Sequence, residues 1–211
     1  MTSPTAGPAR GDAEIGRRGA YAKGVARRQE ILDRAIEVFR DRGASGTSLR
    51  SIAEALGVSH AALLHYFDSR EQLLVAVYEH HERRRREDPD DPDPDGAADA
   101  VTAMVNAATA NVAVPGLVEL YTTLVAGSLE ANSTAARDFF TARFDAVRAG
   151  TAERLRRDQA AGLIRADVDP DAIAALIVAA SDGLQVQWLL DPSVPLEQTL
   201  GTLGPLLRPA A

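Results

Sequence analysis

Residues 57 to 74, GVSHAALLHYFDSREQLL, set two histidines and a tyrosine among alanines and leucines in a stretch too short to be a self-sufficient helix. Such groups could hold a metal, move a proton or hydrogen-bond to an outside partner. Metal binding is a poor fit, because His60 and His65 lack a further ligand at usable spacing and the adjacent His80 and His81 diverge from one helix. Asp91, Asp93, Asp95, Gly96 and Asp99 match five positions of a calcium loop, but Thr102 stands where the bidentate Glu belongs. Proton-transfer catalysis fares no better. The chain has no cysteine, no histidine after His81, no Gly-rich phosphate loop and no paired-helix carboxylate-histidine motif. No catalytic residue, metal or cofactor is expected, and an all-α enzyme is the weakest reading. Recognition remains: Ser59, His60, Ala61 and Ala62 combine polar tips with small side chains that permit close approach to a groove.

The flanking elements must position those residues. Leu32, Ala35, Ile36 and Phe39 form one helical stripe ended by Gly43; Leu49, Ile52, Ala53 and Leu56 form a second, capped by Thr47 or Ser48 and stopped by Gly57. Ser59 then caps a short third helix to about Tyr66, and two short helices joined by a Gly-containing turn make a helix-turn-helix candidate. Within the third helix Ser59, Leu63 and Tyr66 lie nearly in line, with His60 and Leu64 along another edge and Ala61 and His65 beside them, so one edge can face DNA while the other packs. Ser69-Arg70-Glu71-Gln72 has the form of a capping box, Gln72 reaching back to the Ser69 amide, and opens a fourth helix toward Arg86.

Residues 1 to 20 lack periodicity and read as a flexible basic arm, 21–68 as the DNA-binding unit, 69–87 as a connecting helix and 88–96, DPDDPDPDG, as an acidic Pro-rich linker. Residues 97–211 read as helices at 97–113, 116–131, 134–161, 170–190 and 195–207, bounded by Pro115-Gly116, Asn132-Ser133, Gly162, Asp169-Pro170 and Asp191-Pro192. The fold expected is all-α, with about nine helices.

Charge supports the division. The chain is net -7, but residues 1–86 hold 15 basic against 11 acidic residues and residues 87–211 hold 8 against 19. A basic front on an acidic body suits a protein of which one part meets phosphate. No apolar run reaches the roughly 20 residues of a membrane span, and the N-terminus lacks the apolar centre of an export signal. A cytoplasmic location is expected.

Residues 27 to 78, RRQEILDRAIEVFRDRGASGTSLRSIAEALGVSHAALLHYFDSREQLLVAVY, resemble the N-terminal DNA-binding domain of the TetR family of bacterial transcriptional regulators. The resemblance covers about a quarter of the chain and rests on RGASGTSLRSIAEALGVS, the aromatic HYF and the capped SREQLL. It implies a helical ligand-binding and dimerisation domain after the fourth helix. It further implies phosphate contacts from Thr47 or Ser48 and Arg50, and groove contacts from Ser59, His60, Ala61, Leu63 and His65. Tyr66 would touch the DNA backbone and Phe67 would be core. Asp68 replaces the lysine common in the family, so a phosphate contact there shifts to Arg70. The segment with Arg17, Arg18 and Lys23 either runs along the minor groove or is a solubilising tail.

In the second half Met104, Tyr121, Phe139, Phe140, Phe144, Gln185 and Trp188 are bulky or polar-tipped groups that could line a ligand cavity or simply fill core, and Asn106 and Asn111 could orient a polar ligand or face water. Ile173, Leu176, Ile177, Ala180 and Leu184, with Leu196, Leu200, Leu203 and Leu207, make two stripes suited to a homodimer through the last two helices. The expected protein is thus a homodimeric repressor that binds a palindromic operator and releases it on binding a small molecule. The alternative is a DNA-binding protein without an effector.

Overall fold

The computed structural model describes residues 10–42, 49–88, 96, 98–130 and 134–209, and among them every regular element is a helix. The elements are α1 (Arg10–Arg42), α2 (Leu49–Leu56), α3 (His60–Tyr66), α4 (Arg70–Arg86), α5 (Ala100–Val112), α6 (Pro115–Gly127), α7 (Thr134–Ala160), α8 (Pro170–Leu190), α9 (Leu196–Gly201) and α10 (Leu203–Leu207). The all-α expectation holds.

The boundaries differ from the sequence reading at several points, chiefly toward the two ends of the chain. The basic arm expected over residues 1 to 20 is helical from Arg10 onward and continuous with α1. Extending an established helix costs only propagation, not nucleation, and no proline follows Pro8 until well past the end of α1, so the intervening glycines do not stop it. The helix expected over 195–207 is divided at Thr202 into α9 and α10. Pro205 has no N–H to donate to the Gly201 carbonyl, which interrupts the ladder there.

Turn chemistry fixes the helix-turn-helix. Gly57 has φ +65°, and the Val58 and Gly57 amides donate to the Ala53 and Glu54 carbonyls at 3.0 and 3.1 Å, ending α2. Ser59 Oγ accepts the Ala62 amide at 3.0 Å and starts α3 two residues later. Ser69 Oγ accepts the Gln72 amide at 3.1 Å, as the capping box requires, but Gln72 Oε1 reaches the Asp68 amide at 3.1 Å, one residue before the expected Ser69.

The expected linker does not separate two cores. One apolar cluster runs from Ile31, Leu32 and Phe39 of α1 through Leu56, Leu63 and Phe67 to Leu73, Val77 and Tyr78 of α4, then on to Leu120 and Tyr121 of α6 and Phe140 of α7. The Glu71 carboxylate of α4 also accepts the Ala136 amide near the start of α7 at 2.9 Å. The fourth helix therefore belongs by packing to both halves. Residues 89–95 of the expected linker lie outside the described residues. On its far side Arg154 and Arg157 of α7 donate to the Gly96 and Ala98 carbonyls at 2.8–3.0 Å, and buried Asp158 accepts the Ala100 amide at 3.1 Å.

Of the stripes expected to pair two copies, Leu176 stays exposed and the other residues are spent within the chain. Ile177, Leu196, Leu200 and Leu207 are buried in their own protomer, and Ile173, Ala180, Leu184 and Leu203 pack against the same clusters. Helix α8 instead exposes Ala172, Leu176, Ala179, Gly183, Val186 and Leu190, spaced alternately four and three apart. The same helix, 21 residues long with a mean hydropathy of 1.5 over its most apolar window, is by length and composition long and apolar enough to cross a membrane, although Asp171 and Asp182 interrupt its apolar residues. Its inner face packs on α7, α5 and α6.

Candidate functional site

The first candidate surface is α3. Leu63 is fully buried beneath it and Phe67 closes the core behind it, with the Arg28 guanidinium 4.8 Å over the Phe67 ring. His60, Ala61, Leu64 and His65 stand outward, while Tyr66 is half-buried against the core with its ring 5.1 Å from that of His65. The structure thus brings Ser59, His60, Ala61 and His65 to one exposed edge and removes Leu63 from it. Leu63 falls on the packed side because a seven-residue amphipathic helix needs one large anchor, and the outward leucine is Leu64, 42% exposed. Carrying positions over from a family pattern missed this; the exposed edge that His60 and Leu64 share was already visible in the spacing.

Arg50 is well exposed at the start of α2, 3.4 Å from Glu54. Arg70 is half-buried at the start of α4, and Lys23 is exposed on α1. Arg17 and Arg18 lie in the helical part of α1, whereas Thr47 and Ser48 lie outside the described residues.

The second candidate is a cavity of about 250 Å³ bordered by α4, α5, α6, α7 and α8. Of the seven residues expected to line it, Met104, Tyr121 and Gln185 do so. Phe140 is buried in the main core, 5.7 Å from the Tyr121 ring and 5.0 Å from that of Phe139, and Phe144 packs on the same cluster. Phe139 opens instead on a neighbouring hollow beside Arg143, and Trp188 packs against the α5–α9 cluster. The apolar aromatics went to core because it offers the dry environment they favour. Polar-tipped Tyr121 and Gln185 stayed where partners exist.

The cavity's chemistry comes mainly from residues the sequence did not single out. Arg143 and Glu82, both largely buried, form an ion pair with contacts of 2.7 and 3.2 Å. The Arg143 guanidinium also lies 5.5 and 5.1 Å from the ring centres of Tyr78 and Tyr121, which stack 5.4 Å apart. Tyr78 Oη donates to Glu82 at 3.2 Å and Tyr121 Oη donates to Asp182 at 3.0 Å. Burial, foremost, holds both phenols protonated, and burial raises the Asp182 carboxyl above the usual range despite the Tyr121 bond and Arg143. Asn111 Nδ2 donates to Gln185 Oε1 at 3.0 Å, and Gln185 Nε2 donates to the Ser181 carbonyl at 3.2 Å. Asn106 faces a different, larger hollow between α5, α9 and α10. A buried ion pair between α4 and α7, and a buried phenol–carboxyl bond between α6 and α8, leave no period in the sequence that could have flagged them.

A third polar cluster joins α1 to α4. Asp33 meets His80 Nε2 at 2.8 Å and Arg84 Nη1 at 2.7 Å, while buried His80 Nδ1 has no hydrogen-bond partner among the described residues. Asp99 is a helix cap, accepting the Val101 and Thr102 amides at 3.0 Å, and the calcium-loop positions Asp91, Asp93 and Asp95 lie outside the described residues. No group of three or more metal-ligating side chains occurs among the described residues.

A helix-turn-helix packed onto an all-helical body defines a class of DNA-binding regulator folds. Residues 31–77 match the family described as bacterial regulatory proteins, tetR family, and residues 126–204 match the BetI-type transcriptional repressor C-terminal family. The chain belongs to the TetR family of bacterial transcriptional regulators, whose members are not enzymes. Over 48 residues it is 44% identical to the transcriptional repressor KstR2 of Rhodococcus jostii, and over 52 residues 46% identical to the regulator RutR of Escherichia coli. Those segments are 23% and 25% of this chain, and the match spans about a quarter of each curated relative, 24% in both cases. Among solved structures, a TetR-family regulator from Rhodococcus sp. superposes with a TM-score of 0.68 at 22% identity, covering 86% of this chain and 98% of that one. A regulator from Saccharomonospora viridis, solved in complex with choline, superposes with a TM-score of 0.67 at 21% identity, covering 86% and 94%.

Proposed function

We propose that this protein is a cytoplasmic homodimeric repressor that binds a two-fold operator through α3 and releases it when a small molecule enters the cavity behind α4. The observation that carries the reading is the continuity of core: Leu63 beneath the exposed α3 edge and Tyr78 at the cavity belong to one packed cluster, with α4 common to both. A ligand that prefers one placement of α4 shifts the population of DNA-competent dimers by that preference and no more. The reading edges of two copies must meet successive major grooves about 34 to 36 Å apart, so small displacements of α4 matter. Curated relatives are named as repressors, and a fold neighbour was solved with choline, which supports looking for a small ligand.

The seam for the second copy is the exposed face of α8, where alternating spacings of four and three match a two-helix packing stripe and Ala179 and Gly183 allow close approach. Leu176→Glu is expected to convert dimer to monomer in sedimentation and to weaken operator binding with it.

The test is a mobility-shift titration with DNA upstream of the protein's own gene at two salt concentrations with excess competitor. Tight, competitor-resistant binding is expected. Binding abolished by competitor, with no preferred site emerging from genome-wide selection, would sink the reading.

A further inference from the structure

The cavity contains a carboxylate that the chain leaves half satisfied. Asp182 is largely buried on α8 and accepts a hydrogen bond from Tyr121 Oη to Oδ2; among the described residues no other donor bonds to it, and it lines the cavity. A buried carboxylate in its charged form normally takes two or more donors or a cation. The cation closest in role, Arg143, is already committed, with its donors on Glu82 and its face over Tyr78 and Tyr121. Arg154 is held by the Gly96 and Ala98 carbonyls, and Arg85 is half-buried one turn beyond Glu82 on α4. Asn111, Gln185 and Ser181 supply neutral polar groups at another part of the wall, and Met104, Ala107, Val147 and Val178 supply apolar ones.

We propose that the cavity takes a small protonated primary or secondary amine whose N–H groups donate to Asp182 beside Tyr121. The inference rests on the effector reading above and names its ligand class. A quaternary ammonium cannot donate to the open acceptor, and the aromatic faces that would otherwise attract it are covered by Arg143. The volume of about 250 Å³ holds about eight waters at roughly 30 Å³ each, which suits a molecule of similar heavy-atom count. Ligand entry also has a route to the DNA-binding unit. Competition for Tyr121 and Asp182 acts on Arg143, and Arg143 grips Glu82 on α4.

Asp182 must be ionised to receive the amine, so affinity should fall on acidification earlier than an ordinary carboxylate would cause, because burial raises its proton affinity. In the folded protein without ligand the sign is opposite. A raised carboxyl favours folding below the ordinary carboxylate range and loses that advantage as pH rises through its folded value, so Asp182→Asn should fold at least as stably at neutral pH.

The experiment uses the full chain, with putrescine, phenethylamine and ethanolamine as probes and butanediol, butyrate and choline as neutral, anionic and non-donating cationic controls. Thermal shift and calorimetry are read for wild type and Asp182→Asn. Binding by an amine, roughly tenfold to a hundredfold weaker in Asp182→Asn and declining with pH in the wild type, is the expected result. Equal binding to the variant, preference for butanediol, butyrate or choline, or no shift with any of the three amines overturns it. Operator binding by wild type without ligand is measured in parallel. Specific DNA binding with no amine response defeats only this inference, whereas amine binding without specific DNA binding defeats the regulator reading and leaves the amine site standing.

Discussion

The two ends of this molecule treat polar side chains in opposite ways. In α3, His60 and His65 stand in solvent over one buried leucine, Leu63. In the body, Tyr78, Glu82, Arg143, Tyr121, Asp182 and Gln185 are turned inward and mostly satisfy one another. An exposed edge can meet a large polyanion because it gives up only weakly held water. A small molecule entering the cavity would instead have to replace bonds the protein makes to itself, so the inner network would oppose any guest that does not supply equivalent bonds.

The largest expected effect breaks the inner side of the comparison. Arg143→Met should destabilise by about 3–5 kcal/mol in urea denaturation, because it leaves Glu82 buried without its partner, while Arg143→Met with Glu82→Leu should recover most of the loss. A single variant as stable as wild type would show that the pair is solvated. On the outer side Leu63→Ala should cost about 2–5 kcal/mol and lower operator binding only through unfolding, because its side chain is fully buried. Loss of DNA affinity in a protein with an unchanged melting temperature would return Leu63 to the groove.

A smaller effect is expected at His65. His65→Ala should weaken operator binding about tenfold at matched salt with no change in melting temperature or dimerisation, read by fluorescence anisotropy. Unchanged affinity would remove α3's outer edge from recognition. The smallest effect concerns the polar cluster that joins α1 to α4. Burial opposes ionisation of Asp33, but the His80 bond and the Arg84 charge outweigh it and hold its carboxyl below the usual range. Asp33 therefore contributes stability above the ordinary carboxylate range and loses it as pH falls through its lowered value. Because Asp33 is 43% exposed, the contribution is modest. Asp33→Asn should flatten the acid limb of the stability profile, and an identical limb would assign it to other carboxylates.

Much of the outer unit was legible because its elements are local. Gly57, Ser59 and Ser69 act within four residues of themselves, and the turn and caps they imply are present. At Leu63 the family position points to the groove while the helical spacing agrees with the burial observed. The cavity was less legible. Bulk and aromaticity selected Phe140, Phe144 and Trp188, which core packing claims as readily as ligand binding does.

The sequence by itself determined the all-helical class, the short polar recognition helix, the basic front and acidic body, and the family, since composition, periodicity and capping act over a few residues. Only tertiary structure decided that α4 shares one core with both ends, that α8 keeps Ile177 inward and Leu176 outward, and that Asp182 meets Tyr121 while Arg143 meets Glu82. Those pairings join residues 61 apart on different helices, and no local spacing records which side chains will share a low-dielectric interior.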